Sequence, residues 1–247
     1  LESRVSALTP NDPILEVEGL SAGYGDLQIL WDVSFKLHEG EVISVVGSNG
    51  AGKTTLLRTI SGLIRPMKGS IHFEGKNLTG MNPDSIVRQG IVHVPEGRKL
   101  FLGMTVHENL LMGAYVRRDW HRIKEDLQFV YELFPILEER SNQLAGRLSG
   151  GEQQMCAIAR GLMSAPRVLI IDELSLGLAP IVVDKIVQVL GEIRSKGVSM
   201  AVVEQDVHTA LALSDRCYLM EGGRIVKSGV SSLMHADEQF RTSYLGG

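Results

Sequence analysis

Gly47-Ser-Asn-Gly-Ala-Gly-Lys-Thr54 follows the β-favouring run Glu41 to Val46 and leads into a helical pattern from Lys53 to Leu63. The stretch fits G-x-x-x-x-G-K-[ST], a loop that joins a buried strand to a helix. Its glycines let the backbone curl until successive N–H groups face one anion. The helix that follows adds the partial positive charge of its N-terminus. Lys53 is placed to reach the β- and γ-phosphates of a nucleotide, and the Thr54 hydroxyl to reach Mg²⁺.

Outward from this loop the chain alternates strands and helices. Before it, Ile14 to Val17 and Ile29 to Leu37 are short β-favouring runs with glycine punctuation, as in a small antiparallel sheet. After it come a strand pair near Ser70 to Phe73, a helix opened by Pro83, and a buried strand at Ile91 to Val94. From about Thr105 to Leu144 the pattern is helical throughout, with Leu110, Leu111, Leu127, Val130, Leu133 and Phe134 at three- and four-residue spacings. Alternation then resumes: strand Val168 to Ile171, helix Ile181 to Arg194, strand Ser199 to Val203, helix Val207 to Leu213, strand Cys217 to Met220. Strands separated by helices imply a parallel sheet covered on both faces. The expected architecture is an α/β core interrupted by a helical insertion.

Val168-Leu-Ile-Ile-Asp-Glu173 supplies the partner that a phosphate loop needs: a buried apolar strand ending in two carboxylates. Asp172 can hold Mg²⁺, directly or through water, and Glu173 can polarise the attacking water as general base. An isolated Asp-Glu pair would read as a helix cap; the phosphate loop upstream favours the catalytic reading.

The bulk composition is compatible with this. At 247 residues the chain suits one large α/β domain or a domain with a subdomain. Its 25 basic and 29 acidic residues form no long single-sign run, which argues against a surface that coats nucleic acid. Cys156 and Cys217 fit no metal spacing and no disulfide framework, pointing to a reducing compartment. No apolar run is long enough to span a bilayer, so the chain is expected to be cytoplasmic and to meet a membrane only through a partner. Residues 1–13 read as a polar lead-in.

Leu148-Ser-Gly-Gly-Glu-Gln-Gln154 decides the family. It resembles the LSGGQ signature of the ABC ATPases, with Glu152 in the fifth position, although Ser149 would also serve as a plain helix cap. The resemblance extends from about Ile14 to Gly229. It implies a P-loop NTPase fold of the ABC ATPase type: a mixed central sheet with a small antiparallel β-subdomain and an inserted helical subdomain. The core would take residues 14–95 and 165–247, and the helical subdomain, carrying the signature, residues 96–164. ATP would be held by Tyr24, stacking on adenine, by Gly47, Ser48, Asn49, Gly50, Ala51, Gly52, Lys53, Thr54 and Thr55, and, from the other subunit, by Ser149, Gly150 and Gly151. Thr54, Asp172 and Glu96 would serve Mg²⁺; Glu173, Gln205 and Glu96 would serve hydrolysis. The partners implied are a second ATP-binding subunit, homologous or identical, in a head-to-tail dimer, and transmembrane permease subunits. A periplasmic binding protein would act indirectly, and the site of action would be the inner face of the cell membrane.

Three departures narrow the resemblance. Glu96, in Val94-Pro-Glu-Gly-Arg98, stands where most members have glutamine, and it would either bind the metal or be held off by Arg98. Gln205, in Val203-Glu-Gln-Asp206, replaces the usual switch histidine; it can still donate to the γ-phosphate but cannot carry a proton. His208, one helical turn away, reads as a surface residue. The loop Leu174-Ser-Leu-Gly-Leu-Ala-Pro180 has leucine where proline is usual. Together these features are similar to the LivF-type ATP-binding subunit of branched-chain amino acid importers. Competing readings are the same motor serving another solute such as an amide or urea, a soluble non-transport ABC ATPase, and a regulatory module that binds nucleotide without hydrolysing it. Glu173 argues against the last, and the single set of motifs with a compact insertion argues against the second.

Overall fold

The structure, a computed structural model, describes residues 12–236. Most of the expected lead-in, and the end of the second core segment, therefore lie outside the described residues. Two sheets organise the described residues. The first is antiparallel, in the order β2-β1-β4-β5, built from β1 (Leu15–Tyr24), β2 (Leu27–Leu37), β4 (Lys68–Phe73) and β5 (Lys76–Asn77). The second has six strands in the order β10-β9-β3-β8-β7-β6. These are β3 (Val42–Val46), β6 (Ile91–Val94), β7 (Val168–Asp172), β8 (Ser199–Glu204), β9 (Arg216–Glu221) and β10 (Arg224–Val230). All pairings in it are parallel except β10 with β9, so the sheet is mixed.

Strands β3, β7 and β8 read as near-continuous apolar runs, with Ser44 inside β3, Asp172 at the end of β7, and Ser199 and Glu204 at the ends of β8. Every residue of these strands is buried, because both faces of the sheet are covered. Leu169, Ile171, Met200 and Val202 face one core, shared with the helical insertion. Val168, Ile170, Ala201 and Val203 face the other, shared with α1 (Lys53–Ile60) and the antiparallel sheet. A polar substitution at any of these positions would bury an unpaired group on one side or the other.

The helical stretch expected from Thr105 to Leu144 breaks into α3 (Val106–Gly113), α4 (Trp120–Leu133) and α5 (Pro135–Glu139), after α2 (Pro83–Gln89). Local chemistry sets the breaks. Arg117 ties the α3–α4 turn by pairing with Asp119 and Asp126, and Pro135 takes the first turn of α5, where its missing N–H costs nothing. The signature stretch opens α6 (Gly150–Leu162). The remaining helices among the described residues are α7 (Pro180–Ser195), α8 (Val207–Leu213) and α9 (Ser231–Ala236).

Sequence reasoning missed two features. β1 runs on to Tyr24 instead of ending at Val17, because Gly19 (φ 58°) sits where the pairing register slips, at a bulge and not at a strand end. β10 and α9 were not expected at all. β10 is an edge strand without a fully buried face, so its alternation is weak, although Gly222-Gly223 before it is a hairpin signal.

Candidate nucleotide site

The glycine-rich loop joins β3 to α1 at the end of the central sheet where β7 and β8 also finish. Gly52 precedes α1 with φ 104°, a left-handed state that a side chain would strain, and no side chain caps the helix. The β9–β10 turn buttresses the loop from outside: the Gly223 N–H donates to the Ala51 carbonyl at 2.9 Å, and the Trp31 N–H donates to the Gly223 carbonyl at 2.8 Å. A Cβ on Gly223 would lie 1.8 Å from the Ile29 carbonyl oxygen, so only glycine fits there.

Lys53 is 5% exposed, and its Nζ donates to the carbonyls of Gly47 at 2.7 Å and Ser48 at 3.1 Å. Burial lowers its pKa, while the carboxylates of Glu173, Asp172, Glu204 and Glu96 push the other way. The cation is thus held over the loop by backbone oxygens that a phosphate can replace.

Asp172 ends β7 with 1% exposure. Its Oδ1 accepts from the Thr54 hydroxyl at 3.3 Å, while Oδ2 is buried with no partner. Burial pushes its carboxyl up to about 6; Thr54 pulls it down, and Glu173 and Glu96 add to the rise. An orphaned buried carboxylate oxygen beside a hydroxyl and two further acids suits a hard divalent cation, which would satisfy the oxygen and favour ionisation. Glu173 follows at φ 55°, its N–H donating to the Val203 carbonyl at 3.0 Å. The Gln205 side chain donates from Nε2 to Glu173 Oε1 at 2.6 Å.

A cavity of about 510 Å³ collects these groups: Asn49, Gly50, Gly52, Lys53, Thr54, Thr55, Glu96, Glu173 and Gln205 line it, with Ile29 and Leu176. Gly47, Ser48 and Ala51 belong to the same loop. Tyr24 stands apart from the lining, 46% exposed at the β1–β2 turn, its hydroxyl accepting from Arg58 of α1 at 3.2 Å. Sequence reasoning missed Ile29, Leu176, Gly223 and the buried acid Glu204. The last had a signal, since Glu204 ends an apolar strand just as Asp172 and Glu173 do.

Ser149, Gly150 and Gly151 lie outside this cavity, at the start of α6. Ser149 Oγ accepts from the Glu152 N–H at 3.3 Å, and the Glu152 carboxylate accepts from the Ser149 N–H at 2.7 Å, a closed capping box. Glu152 also pairs with Arg140 at 3.1 Å. This gives the unusual fifth signature residue a structural task. The alternative in which Arg98 restrains Glu96 is not what the described residues adopt: Arg98 donates to Gln153 Oε1 at 3.2 Å and lies against Gly150. Gly97, Arg98 and Lys99 are all left-handed (φ 73°, 64° and 45°), and Arg160 fastens the segment by donating to the carbonyls of Lys99 and Arg98 at 2.8 and 3.1 Å. Glu96 thus faces the cavity while the residues after it are anchored to the signature helix. His208 is exposed and lies edge-on to His235 of α9, outside the cavity.

Residues 30–175 match the sequence profile of the family described as ABC transporter. The high-affinity branched-chain amino acid transport ATP-binding protein BraG of Pseudomonas aeruginosa is 45% identical over 95% of this chain and 100% of its own length. The probable branched-chain amino acid transport ATP-binding protein LivF of Archaeoglobus fulgidus is 34% identical over 94% of this chain and 99% of its own. Among solved structures, the ADP conformation of an ATP-binding cassette of an ABC transporter superposes with a TM-score of 0.83 at 28% identity, covering 96% of this chain and all of that one.

Proposed function

The chain belongs to the ABC transporter family of ATP-hydrolysing subunits, and on that premise we propose that it powers import of branched-chain amino acids from the cytoplasmic face of a membrane. The observation that carries the reading is the convergence of Lys53, Thr54, Glu96, Glu173 and Gln205 on one cavity, with Asp172 beside Thr54. The similarity to BraG and LivF along nearly the full chain supports the choice of solute.

In this reading the phosphates of ATP replace the loop carbonyls as partners of Lys53, and the uncapped N–H groups of α1 close on them. Thr54, Asp172 and Glu96 would hold Mg²⁺, which when bound neutralises charge on the β- and γ-phosphate oxygens. Glu173 takes a proton from the attacking water, and Gln205 can move one N–H from Glu173 to the γ-phosphate. Tyr24 offers its ring to adenine. Ser149, Gly150 and Gly151 take the γ-phosphate held by a second ATP-binding subunit in head-to-tail contact. ATP then binds a closed dimer better than an open one, and that difference drives the cycle. In this reading the core (14–95 and 165–247) carries the phosphate loop, Asp172, Glu173 and Gln205, and the helical subdomain (96–164) carries Glu96, the signature and the permease contact. A groove of about 450 Å³ favours that contact: it includes Phe101, Met112 and the 81% exposed Tyr115, apolar surface next to the anchored 97–99 segment. No helix among the described residues is long and apolar enough to cross a membrane, so attachment to one would come through those subunits.

Glu173→Gln tests the chemistry. It should abolish turnover while retaining ATP in a stable dimer, read by phosphate release and by size-exclusion chromatography with nucleotide. Turnover at the parent rate in this variant removes Glu173 as the base. For the solute, strains lacking the chain should lose ATP-dependent leucine uptake, and uptake at the parent level would redirect the assignment to another solute.

A further inference from the structure

A second acid lies beside Glu173 that the chemistry above leaves unused. Glu204 ends β8 and is 1% exposed. Its Oε1 accepts from the Ser175 N–H at 2.9 Å, and its Oε2 accepts from the Ser175 hydroxyl at 2.8 Å and from the Gln205 N–H at 3.3 Å. Burial raises the Glu204 pKa and these three bonds oppose the rise, with Glu173 nearby adding to it. A carboxylate withdrawn from water is costly unless its lone pairs are filled. Here two residues fill them, and those two flank the base. Ser175 lies two positions after Glu173 in the chain, and Gln205 is the residue whose amide holds Glu173 Oε1. Glu173 itself is left-handed (φ 55°), a state that a residue other than glycine keeps only where its surroundings impose it.

We infer that Glu204 is a positioning residue for hydrolysis: it ties the turn after Glu173 to the segment carrying Gln205, and so fixes the direction in which Glu173 presents its carboxylate to water. This rests on the reading of Glu173 as general base. Glu204 reaches the site by hydrogen bonds to Ser175 and Gln205, and it makes none to the loop around Lys53. Its loss should therefore misplace the base without loosening the grip on nucleotide, which belongs to the loop around Lys53. Such a misplacement separates kcat from KM.

The test uses the full chain at concentrations where turnover per chain has levelled off. Glu204→Gln keeps the volume but turns one acceptor oxygen into a donor facing donors. Its kcat should fall about 10- to 100-fold, with KM for ATP and the Kd for a fluorescent ATP analogue within about twofold of the parent. Ser175→Ala removes only the hydroxyl bond and should cost about 3- to 10-fold in kcat alone. The double variant should be no slower than Glu204→Gln, because both changes break one network. An unchanged kcat in Glu204→Gln, a rise in KM at constant kcat, or a double variant whose losses multiply would each overturn the inference. If Glu204→Gln does not fold, as judged by circular dichroism, Ser175→Ala decides, and a kcat within twofold of the parent then overturns it. The two readings fail differently: parent-like turnover in Glu173→Gln removes the base itself, whereas a dead Glu173→Gln beside an unaffected Glu204→Gln removes only the role of Glu204.

Discussion

Two helix N-termini in this molecule are built from similar glycine-rich sequence and finished in opposite ways. At α1 the residue before the helix is left-handed Gly52, no side chain caps the turn, and Lys53 leans back onto the loop carbonyls. At α6 the cap is Ser149, and with Glu152 it closes a capping box that needs no ligand. A helix start leaves up to four N–H groups without partners, and something has to satisfy them. The α1 end has no side-chain cap and forgoes the roughly 1 kcal/mol that one supplies; in the proposed function a bound phosphate takes that task. The α6 end is finished by its own side chains, so in the proposed function it would meet a phosphate from another subunit already ordered. In the reading proposed above, one end grips and the other docks.

That contrast can be broken by substitution. The largest effect is expected beside the gripping end, at the residue after β7: Glu173→Gln should abolish turnover, a fall of at least the roughly 10²- to 10⁴-fold that a general base contributes, with ATP binding retained. Lys53→Ala comes next. It should weaken ATP binding by the 1.5–3 kcal/mol of a charge-assisted hydrogen bond, roughly 10- to 150-fold in Kd, measured by titration with a fluorescent nucleotide. At the docking end, Ser149→Ala should leave nucleotide binding by the separate chain within about twofold. It should cost about 1 kcal/mol of stability, a fall of roughly 2–4 °C in Tm for a chain of this size, and it should slow turnover in the assembled dimer. If Ser149→Ala instead weakens nucleotide binding by the lone chain, the two ends are not divided as argued. The smallest effect is expected at Glu152→Gln. Glutamine also closes a capping box, so only the pairing with Arg140 is lost, and the change should stay within about 1 kcal/mol in urea unfolding. A loss well beyond that would mean the carboxylate does more than cap and pair.

Legibility in the sequence followed how local each feature is. The phosphate loop, the apolar strand ending in Asp172 and Glu173, and the α6 cap could all be read because their residues are contiguous and their chemistry is set within a few positions. Glu96, Gln205 and the loop lie far apart in the chain, and only the sheet order β3-β8-β7-β6 brings them onto one cavity. The competing tasks proposed for Glu96 could not be separated from sequence, since that depends on where Arg98 points; its guanidinium goes to Gln153. Gly223 escaped notice for the same reason. The carbonyl that excludes any side chain there belongs to Ile29, on a strand of the other sheet.

The sequence by itself determined the fold class, the phosphate loop and the two acids at the end of β7, because hydrophobic periodicity and short-range backbone geometry write these into adjacent residues. The tertiary structure decided which partners the side chains of the site take. Lys53 rests on carbonyls, Gln205 holds Glu173, and Glu204 gathers Ser175 and Gln205. Hydrogen bonds between residues about 30 positions apart form only after the parallel strands have aligned their ends, and no pattern along the chain records them.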